Sequence, residues 1–247
     1  MHCMRPPTEA WLRQEIVRVG KRLSDKDFAP GSSGNISARL GEGLILITPT
    51  GVGKGDLRAD DIVVVDLDGR KVRGSRTPTS ELEMHRAVYA MRPDARAVVH
   101  AHPPIATAFA CAGVPLDKPL ASEFVMSVGS APLAPYATPG TQEVPASLGG
   151  LVKDHDAVLL ANHGVVTLGP TLFDAFAKME TVEHFARITL AVRQLGQEKL
   201  LREEEVRKLV EAGVRYSKEC QDCPHAPYAS RDEQALARII DEVLKKL

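Results

Sequence analysis

The sequence contains few cysteines, few aromatic residues and almost no net charge. Its 247 residues include four cysteines, placed unevenly at positions 3, 111, 220 and 223, and 4% aromatic residues. Sparse, irregularly spaced thiols argue against a disulfide framework and are typical of a reducing compartment. The formal net charge of −1 gives no basic field that would attract nucleic acid or an anionic membrane.

Long apolar runs are also missing. No stretch reaches the roughly 18 apolar residues that a membrane span requires, and residues 1–7 lack the apolar segment of a signal peptide. We therefore expect a cytoplasmic protein whose partners include neither nucleic acid nor membrane. Hydrophobic residues make up 44% of the chain, which is ordinary for a globular protein, and the length favours one large domain.

The spacing of apolar residues predicts strands that alternate with helices, which is typical of a layered α/β domain. Apolar residues at three- and four-residue steps predict helices over residues 8–23, 81–91, 105–112 and 171–200. Short apolar runs predict buried strands over residues 44–47, 62–65, 97–101, 157–160 and 165–168. Residues 30–37 are rich in glycine and serine and are predicted to form a turn.

The composition changes near the carboxyl end. We assign residues 1–217 to the catalytic domain and residues 218–231, which contain two prolines, to a linker. Residues 232–247 carry apolar side chains at three- and four-residue steps between charged ones, which predicts an amphipathic helical tail.

Three histidines form the clearest candidate for a metal site. His100 and His102 alternate on a predicted strand, so their side chains point to one face about 7 Å apart. His163 follows another predicted strand, and three neutral imidazoles with one open position are typical of catalytic zinc. The spacing is equally compatible with one buried and one solvated histidine that bind nothing. Cys220 and Cys223 with nearby His225 lack a second ligand pair, so we interpret them as ordinary linker cysteines.

Three short polar groups lie at predicted turns: Gly34-Asn35, Thr50-Gly51 and Thr79-Ser80. The last group precedes a helix, where free N–H groups and the helix dipole favour a phosphate. The simpler interpretation is that Ser80 caps the helix and the glycines turn the chain. Glu81 is open to the same simpler interpretation, because acidic residues are favoured in the first helical turn.

A resemblance to a known family connects these groups. Six motifs occur in this order: GNIS at 34–37, ITPTG at 47–51, PTSE at 78–81 with His85, RPDARAVVHAH at 92–102, PYAT at 135–138 and NHG at 162–164. Together they resemble the class II aldolase/adducin family, and within it the L-fuculose-1-phosphate aldolase branch, over about residues 8–200. The resemblance implies a single-domain α/β/α fold with a central, mainly antiparallel sheet.

The resemblance also implies a role for each candidate residue. One Zn²⁺ per subunit would be held by His100, His102, His163 and Glu81. A phosphate pocket would be formed by Gly34, Asn35, Thr50, Gly51, Thr79 and Ser80. Glu81 would also serve as the general base, and Tyr136, contributed by a neighbouring subunit of a homotetramer, would serve as the acid toward the aldehyde oxygen. Many relatives carry histidine where this chain has Asn162. Some relatives also use a tail tyrosine in the site, and the resemblance assigns that role neither to Tyr216 nor to Tyr228.

The implied activity is zinc-dependent, reversible cleavage of a ketose 1-phosphate to dihydroxyacetone phosphate and an aldehyde such as lactaldehyde. Pentulose-phosphate 4-epimerases of the family carry aspartate at the position of Glu81, so the glutamate argues against that alternative. Dehydratases and decarboxylases keep a glutamate and remain alternatives, as does a non-catalytic, adducin-like binding module. The tail at 232–247 is similar to peptides that target enzymes to bacterial microcompartment shells; the alternative is that it docks on its own tetramer.

Overall fold

A computed structural model describes residues 7–41 and 43–219. Within these residues the chain forms eight α-helices, two short 3₁₀ helices and one sheet of eight strands. In chain order they are α1 (Glu9–Asp25), β1 (Asn35–Leu40), β2 (Leu44–Ile47), the 3₁₀ helices Lys54–Asp56 and Ala59–Asp61, β3 (Val63–Asp66), β4 (Lys71–Arg73), α2 (Leu82–Met91), β5 (Ala97–Ala101), α3 (Pro104–Cys111), α4 (Ser122–Ser127), β6 (Leu133–Ala134), α5 (Glu143–Leu148), α6 (Leu151–Asp154), β7 (Ala157–Leu160), β8 (Gly164–Gly169), α7 (Leu172–Leu195) and α8 (Glu203–Glu219).

The sheet has the strand order β4-β3-β2-β1-β5-β8-β7-β6, and every pair is antiparallel except β6 with β7. Alternating strand residues separate into two buried clusters. One cluster packs under α1, α3, α4 and α7, and the other packs under α2, α5 and α6. Helices therefore cover both faces, which confirms the predicted layered fold with a mainly antiparallel sheet. None of the helices within residues 7–41 and 43–219 is long and apolar enough to cross a membrane.

The predicted turn at 30–37 is wrong at its end, because β1 begins at Asn35. Asn35 and Ser37 are buried on the strand, and their polar side chains hid the strand from the hydrophobic pattern. The helix predicted over 171–200 ends at Leu195, where Gly196 takes a left-handed conformation with a φ of +79°. Helix α8 continues to residue 219, two residues into the predicted linker. The rest of the linker, the predicted tail at 232–247, Cys220, Cys223 and Tyr228 lie outside the described residues.

Candidate active site

The fold brings the three histidines together at the carboxyl end of strand β5. His100 lies on β5, His102 directly follows that strand, and His163 occupies the tight turn between β7 and β8. Because β8 pairs with both β5 and β7, this turn lies beside the end of β5. The candidate ligand nitrogens of the three rings all lie within 4.8 Å of one another.

Backbone contacts orient His100. Its Nδ1 donates a hydrogen bond to the carbonyl oxygen of Val165 over 2.9 Å, which leaves the Nε2 lone pair facing the other histidines. The Nε2 atoms of His100 and His102 are 3.1 Å apart. Two protonated nitrogens cannot approach so closely, so the pair needs either a shared proton or a cation between the rings.

The protonation states of the histidines favour metal binding. Burial lowers the pKa of His100 well below its ordinary value, and the neighbouring His102 and His163 lower it further. Burial likewise lowers the pKa of His102 and of His163. All three rings are therefore neutral near pH 7, which is the form that binds a metal ion.

Glu81 completes the cluster from the amino end of α2. Its Oε2 lies 3.3 Å from His100 Nε2, and its Oε1 lies 3.4 Å from His163 Nε2. A tetrahedral zinc site with bonds of about 2.05 Å has ligand-to-ligand edges of about 3.3 Å, close to these separations. Asn35 Nδ2 donates to Oε2 over 2.7 Å, whereas Oε1 is buried without a hydrogen-bond partner. An orphaned carboxylate oxygen facing three neutral imidazoles fits a divalent cation.

Small residues allow this close packing. A Cβ at Gly164 would lie 2.6 Å from the carbonyl oxygen of Ala101 and 2.6 Å from Cδ2 of His102. A Cβ at Gly34 would lie 2.8 Å from the carbonyl oxygen of His100. Asn162 has a φ of +58°, a left-handed conformation that asparagine tolerates better than most residues. Asn162, where many relatives carry histidine, therefore suits the turn that positions His163.

The structure brings together the backbone of the three predicted phosphate-binding groups. Thr50 N donates to Thr77 O and Thr79 N donates to Thr48 O, each over 3.1 Å, which joins the loops at 48–51 and 77–80. Thr48 also bonds with Ile36 on β1, next to Gly34 and Asn35. Thr50, Gly51 and Ser80 are exposed and Thr79 is buried. The three turns therefore meet beside the end of β5 that carries His100.

The simpler interpretation of Ser80 as a helix cap is wrong. Glu81 occupies the N-cap position of α2, and the hydroxyl of Thr79, not that of Ser80, accepts the hydrogen bond from the Glu81 N–H over 3.3 Å. Asn35 is 3% exposed, and its amide is already engaged with Glu81 and His85. Besides the phosphate-binding role predicted for it, Asn35 therefore has a second role, which is to hold the Glu81 carboxylate.

Tyr136 is the predicted acid of the site. Its side chain is 62% exposed on the segment that follows β6, an arrangement suited to contact with another molecule.

Lys54 is a buried residue that the sequence patterns do not predict. It is buried, its Nζ donates to the carbonyl oxygens of Ser32 and Val52, and burial lowers its pKa to about 8. A lysine in a glycine-rich loop gives no apolar pattern from which its burial could be predicted.

The chain is similar to known proteins over most of its described length. The family described as the class II aldolase and adducin N-terminal domain matches residues 14–190. The 5-deoxy-D-ribulose 1-phosphate aldolase of Bacillus thuringiensis serovar kurstaki is 36% identical over 200 residues, covering 80% of this chain and 92% of that protein. The 3-oxo-tetronate 4-phosphate decarboxylase of Escherichia coli K12 is 36% identical over 184 residues, covering 73% and 86%. A solved structure of an L-fuculose 1-phosphate aldolase is 36% identical with a TM-score of 0.75, covering 81% and 94%.

Proposed function

Since the chain belongs to the class II aldolase and adducin family, we propose that it is a zinc-dependent aldolase that cleaves a ketose 1-phosphate to dihydroxyacetone phosphate and an aldehyde. The observation that carries the proposal is the cluster of His100, His102, His163 and Glu81. Three of its ligand-to-ligand distances, 3.1, 3.3 and 3.4 Å, are close to the edges of a tetrahedral zinc site, and all three histidine nitrogens lie within 4.8 Å of one another.

The bound ion would supply Lewis-acid stabilisation of the negative charge that develops on the substrate oxygen atoms. The protein would supply the proton transfers. In the condensation direction, Glu81 takes a proton from C3 of dihydroxyacetone phosphate, and Tyr136 gives a proton to the aldehyde oxygen as the carbon–carbon bond forms. In cleavage both transfers reverse, so the hydroxyl proton leaves through Tyr136 and C3 receives its proton from Glu81.

The phosphate would lie among Gly34, Asn35, Thr50, Gly51, Thr79 and Ser80. The exposed Ser80 hydroxyl suits an anion, since the amino end of a helix carries partial positive charge. Holding the phosphate there keeps the reacting carbons beside Glu81, which follows Ser80 directly. Binding energy from the phosphate is thereby used to orient the bond that breaks.

We further propose that the active enzyme is a homotetramer with active sites at its subunit interfaces. The exposure of Tyr136 supports this arrangement, because a side chain that serves the site of a neighbouring subunit is uncovered in a single chain. Each subunit would hold one zinc ion.

The relatives favour two readings of the substrate. An aldolase relative acts on 5-deoxy-D-ribulose 1-phosphate, and a decarboxylase relative acts on 3-oxo-tetronate 4-phosphate. We favour the aldolase, because Tyr136 is present on an exposed loop as the acid that an aldehyde oxygen requires. The aldehyde would be lactaldehyde from a 6-deoxyhexulose phosphate or acetaldehyde from a 5-deoxypentulose phosphate.

A substrate panel tests the proposal. The purified enzyme would be assayed with L-fuculose, L-rhamnulose and 5-deoxyribulose 1-phosphates for dihydroxyacetone phosphate, and with 3-oxo-tetronate 4-phosphate for carbon dioxide. Release of dihydroxyacetone phosphate from at least one ketose phosphate is expected. Carbon dioxide release alone would assign the decarboxylase activity instead. Turnover of no compound by a protein without bound metal would favour the adducin-like module.

A further inference from the structure

One face of α2 fits against one face of β1. Glu81, His85 and Tyr89 follow each other at four-residue steps, so they share a face of the helix. Asn35 and Ser37 alternate on β1, so they share a face of the strand. The two sets interleave, and their polar atoms form one continuous chain of hydrogen bonds from Tyr89 to Glu81.

The chain is short at every step and closed to solvent. Tyr89 OH lies 2.8 Å from Ser37 Oγ, which lies 2.7 Å from His85 Nδ1. His85 Nε2 lies 2.5 Å from Asn35 Oδ1, and Asn35 Nδ2 lies 2.7 Å from Glu81 Oε2. The other members of this hydrogen-bond chain are each at most 3% exposed: Tyr89, Ser37, His85 and Asn35. Water therefore does not compete for these hydrogen bonds.

The charge of Glu81 sets the direction of the whole chain. An ionised carboxylate only accepts hydrogen bonds, so the Asn35 amide must turn its NH₂ toward Glu81 and its oxygen toward His85. His85 must then donate from Nε2, which leaves Nδ1 as an acceptor for the Ser37 hydroxyl. Ser37 in turn accepts from Tyr89. Burial lowers the pKa of His85 to about 3, so the ring stays in this neutral form.

We propose that His85 is a positioning residue that acts through Asn35 to fix the orientation of the Glu81 carboxylate. Oε2 is held by the chain, and Oε1, the oxygen without a hydrogen-bond partner, is thereby presented to the metal position and to the reacting carbon. Loss of the Nε2–H donor frees the Asn35 amide to rotate, and Glu81 then loses its anchor. The kinetic part of this inference rests on the proposed aldolase function, whereas its metal-binding part does not.

Two substitutions of His85 separate positioning from simple packing. In His85→Gln the side-chain amide reaches the position of Nε2 and can still donate to Asn35. In His85→Asn the shorter amide reaches only the position of Nδ1, so the donor to Asn35 is lost. Zinc affinity of the metal-stripped full-length protein would be measured by competition with a chromophoric chelator. We expect His85→Asn to weaken zinc binding 10- to 100-fold, the usual loss for a group behind a metal ligand, and His85→Gln to recover most of that loss.

The kinetic readout should follow the same order. His85→Asn should lower kcat at saturating zinc by a larger factor than it raises KM, since Thr50, Thr79 and Ser80 of the proposed phosphate pocket do not contact His85. Equal zinc affinity in wild type and both variants, or equal losses in both, would overturn the proposal. If the wild type binds zinc but cleaves no ketose phosphate, the proposed function fails while the zinc measurements still test the role of His85.

A double-mutant cycle tests the route through Asn35. Asn35→Ala should weaken zinc binding by a similar factor, and the difference between Asn and Gln at position 85 should vanish in that background. Additive losses would contradict action through Asn35. Thr167→Val is the matched control, because Thr167 is buried and its hydroxyl donates to the carbonyl oxygen of Ala175 at another place in the core. It should lower the melting temperature by about 2–4 °C without changing zinc affinity.

Discussion

A buried cluster of charges holds the end of the β7–β8 hairpin that lies opposite His163. Lys178 on α7 is 3% exposed, and its Nζ lies 2.6 Å from Asp174 Oδ2, 2.9 Å from Asp156 Oδ2 and 3.2 Å from the carbonyl oxygen of Leu168. Asp156 also accepts from Arg92 over 2.9 Å. The ammonium thus joins α7 to the residue before β7 and to β8.

Replacing Lys178 with methionine keeps most of the side-chain volume and removes the charge. The carboxylate of Asp174, which is 0% exposed, then remains buried without the cation now 2.6 Å away. Removing one partner of a buried ion pair costs about 3–5 kcal/mol of unfolding free energy. For a chain of this size each kcal/mol shifts the melting temperature by about 2–4 °C, so a decrease of about 6–20 °C is expected.

The assay is thermal unfolding at one fixed protein concentration, followed by circular dichroism. Lys208→Met is the matched control, because Lys208 and Glu204 form an ion pair whose side chains are 70% and 69% exposed; it should cost less than about 1 kcal/mol. Adding Asp174→Asn to Lys178→Met should restore part of the loss, since it removes the buried negative charge that Lys178 faced. If Lys178→Met destabilises the protein no more than Lys208→Met, the reasoning from burial is refuted.

Three further predictions concern the site. Glu81→Gln and Tyr136→Phe should each lower kcat by about 10²–10⁴-fold. When subunits of the two variants are mixed and reassembled, about one quarter of the sites should regain activity. No recovery would place Tyr136 in its own subunit's site. Ser80→Ala should raise KM for a ketose 1-phosphate and leave binding of the free ketose unchanged; equal effects on both would refute a phosphate contact. Burial lowers the pKa of Lys54 from 10.5 to about 8, so between these values the unfolded chain holds a proton that the folded chain lacks, and stability rises with pH. The stability advantage of Lys54→Met should therefore shrink from pH 8 to pH 10, and a constant difference would contradict the burial argument.

The sequence predicted the parts of the fold that obey a hydrophobic period. Strands β2, β3, β5, β7 and β8 are short apolar runs, and α1 begins after Thr8, whose hydroxyl accepts from Trp11 N as expected of a cap. Strand β4 was not predicted, because all three of its residues are exposed at the sheet edge. Strand β6 has two residues, too few for any alternation to show.

The candidate site could be predicted only as far as its motifs reach. The histidines at 100, 102 and 163 could be predicted, because each lies at the end of a predicted strand and can bind a metal ion. The contacts among Ser37, His85 and Tyr89 could not be predicted, because they depend on how α2 lies over β1. Hydrophobic patterns locate apolar faces, whereas this interface is polar and buried. Polar residues inside a strand and on a helix face break the pattern at the place where the site is built.

The central claim is that His100, His102 and His163 hold a zinc ion on which cleavage depends. The most direct measurement is the zinc content of the purified protein and of His102→Ala, made on the same samples as the release of dihydroxyacetone phosphate from a ketose 1-phosphate. We predict about one zinc per wild-type subunit, with loss of both zinc and cleavage in a His102→Ala protein that remains folded. A His102→Ala protein that retains zinc and cleaves at the wild-type rate would contradict the account. A wild-type protein that contains no zinc and still cleaves the ketose 1-phosphate would contradict it equally.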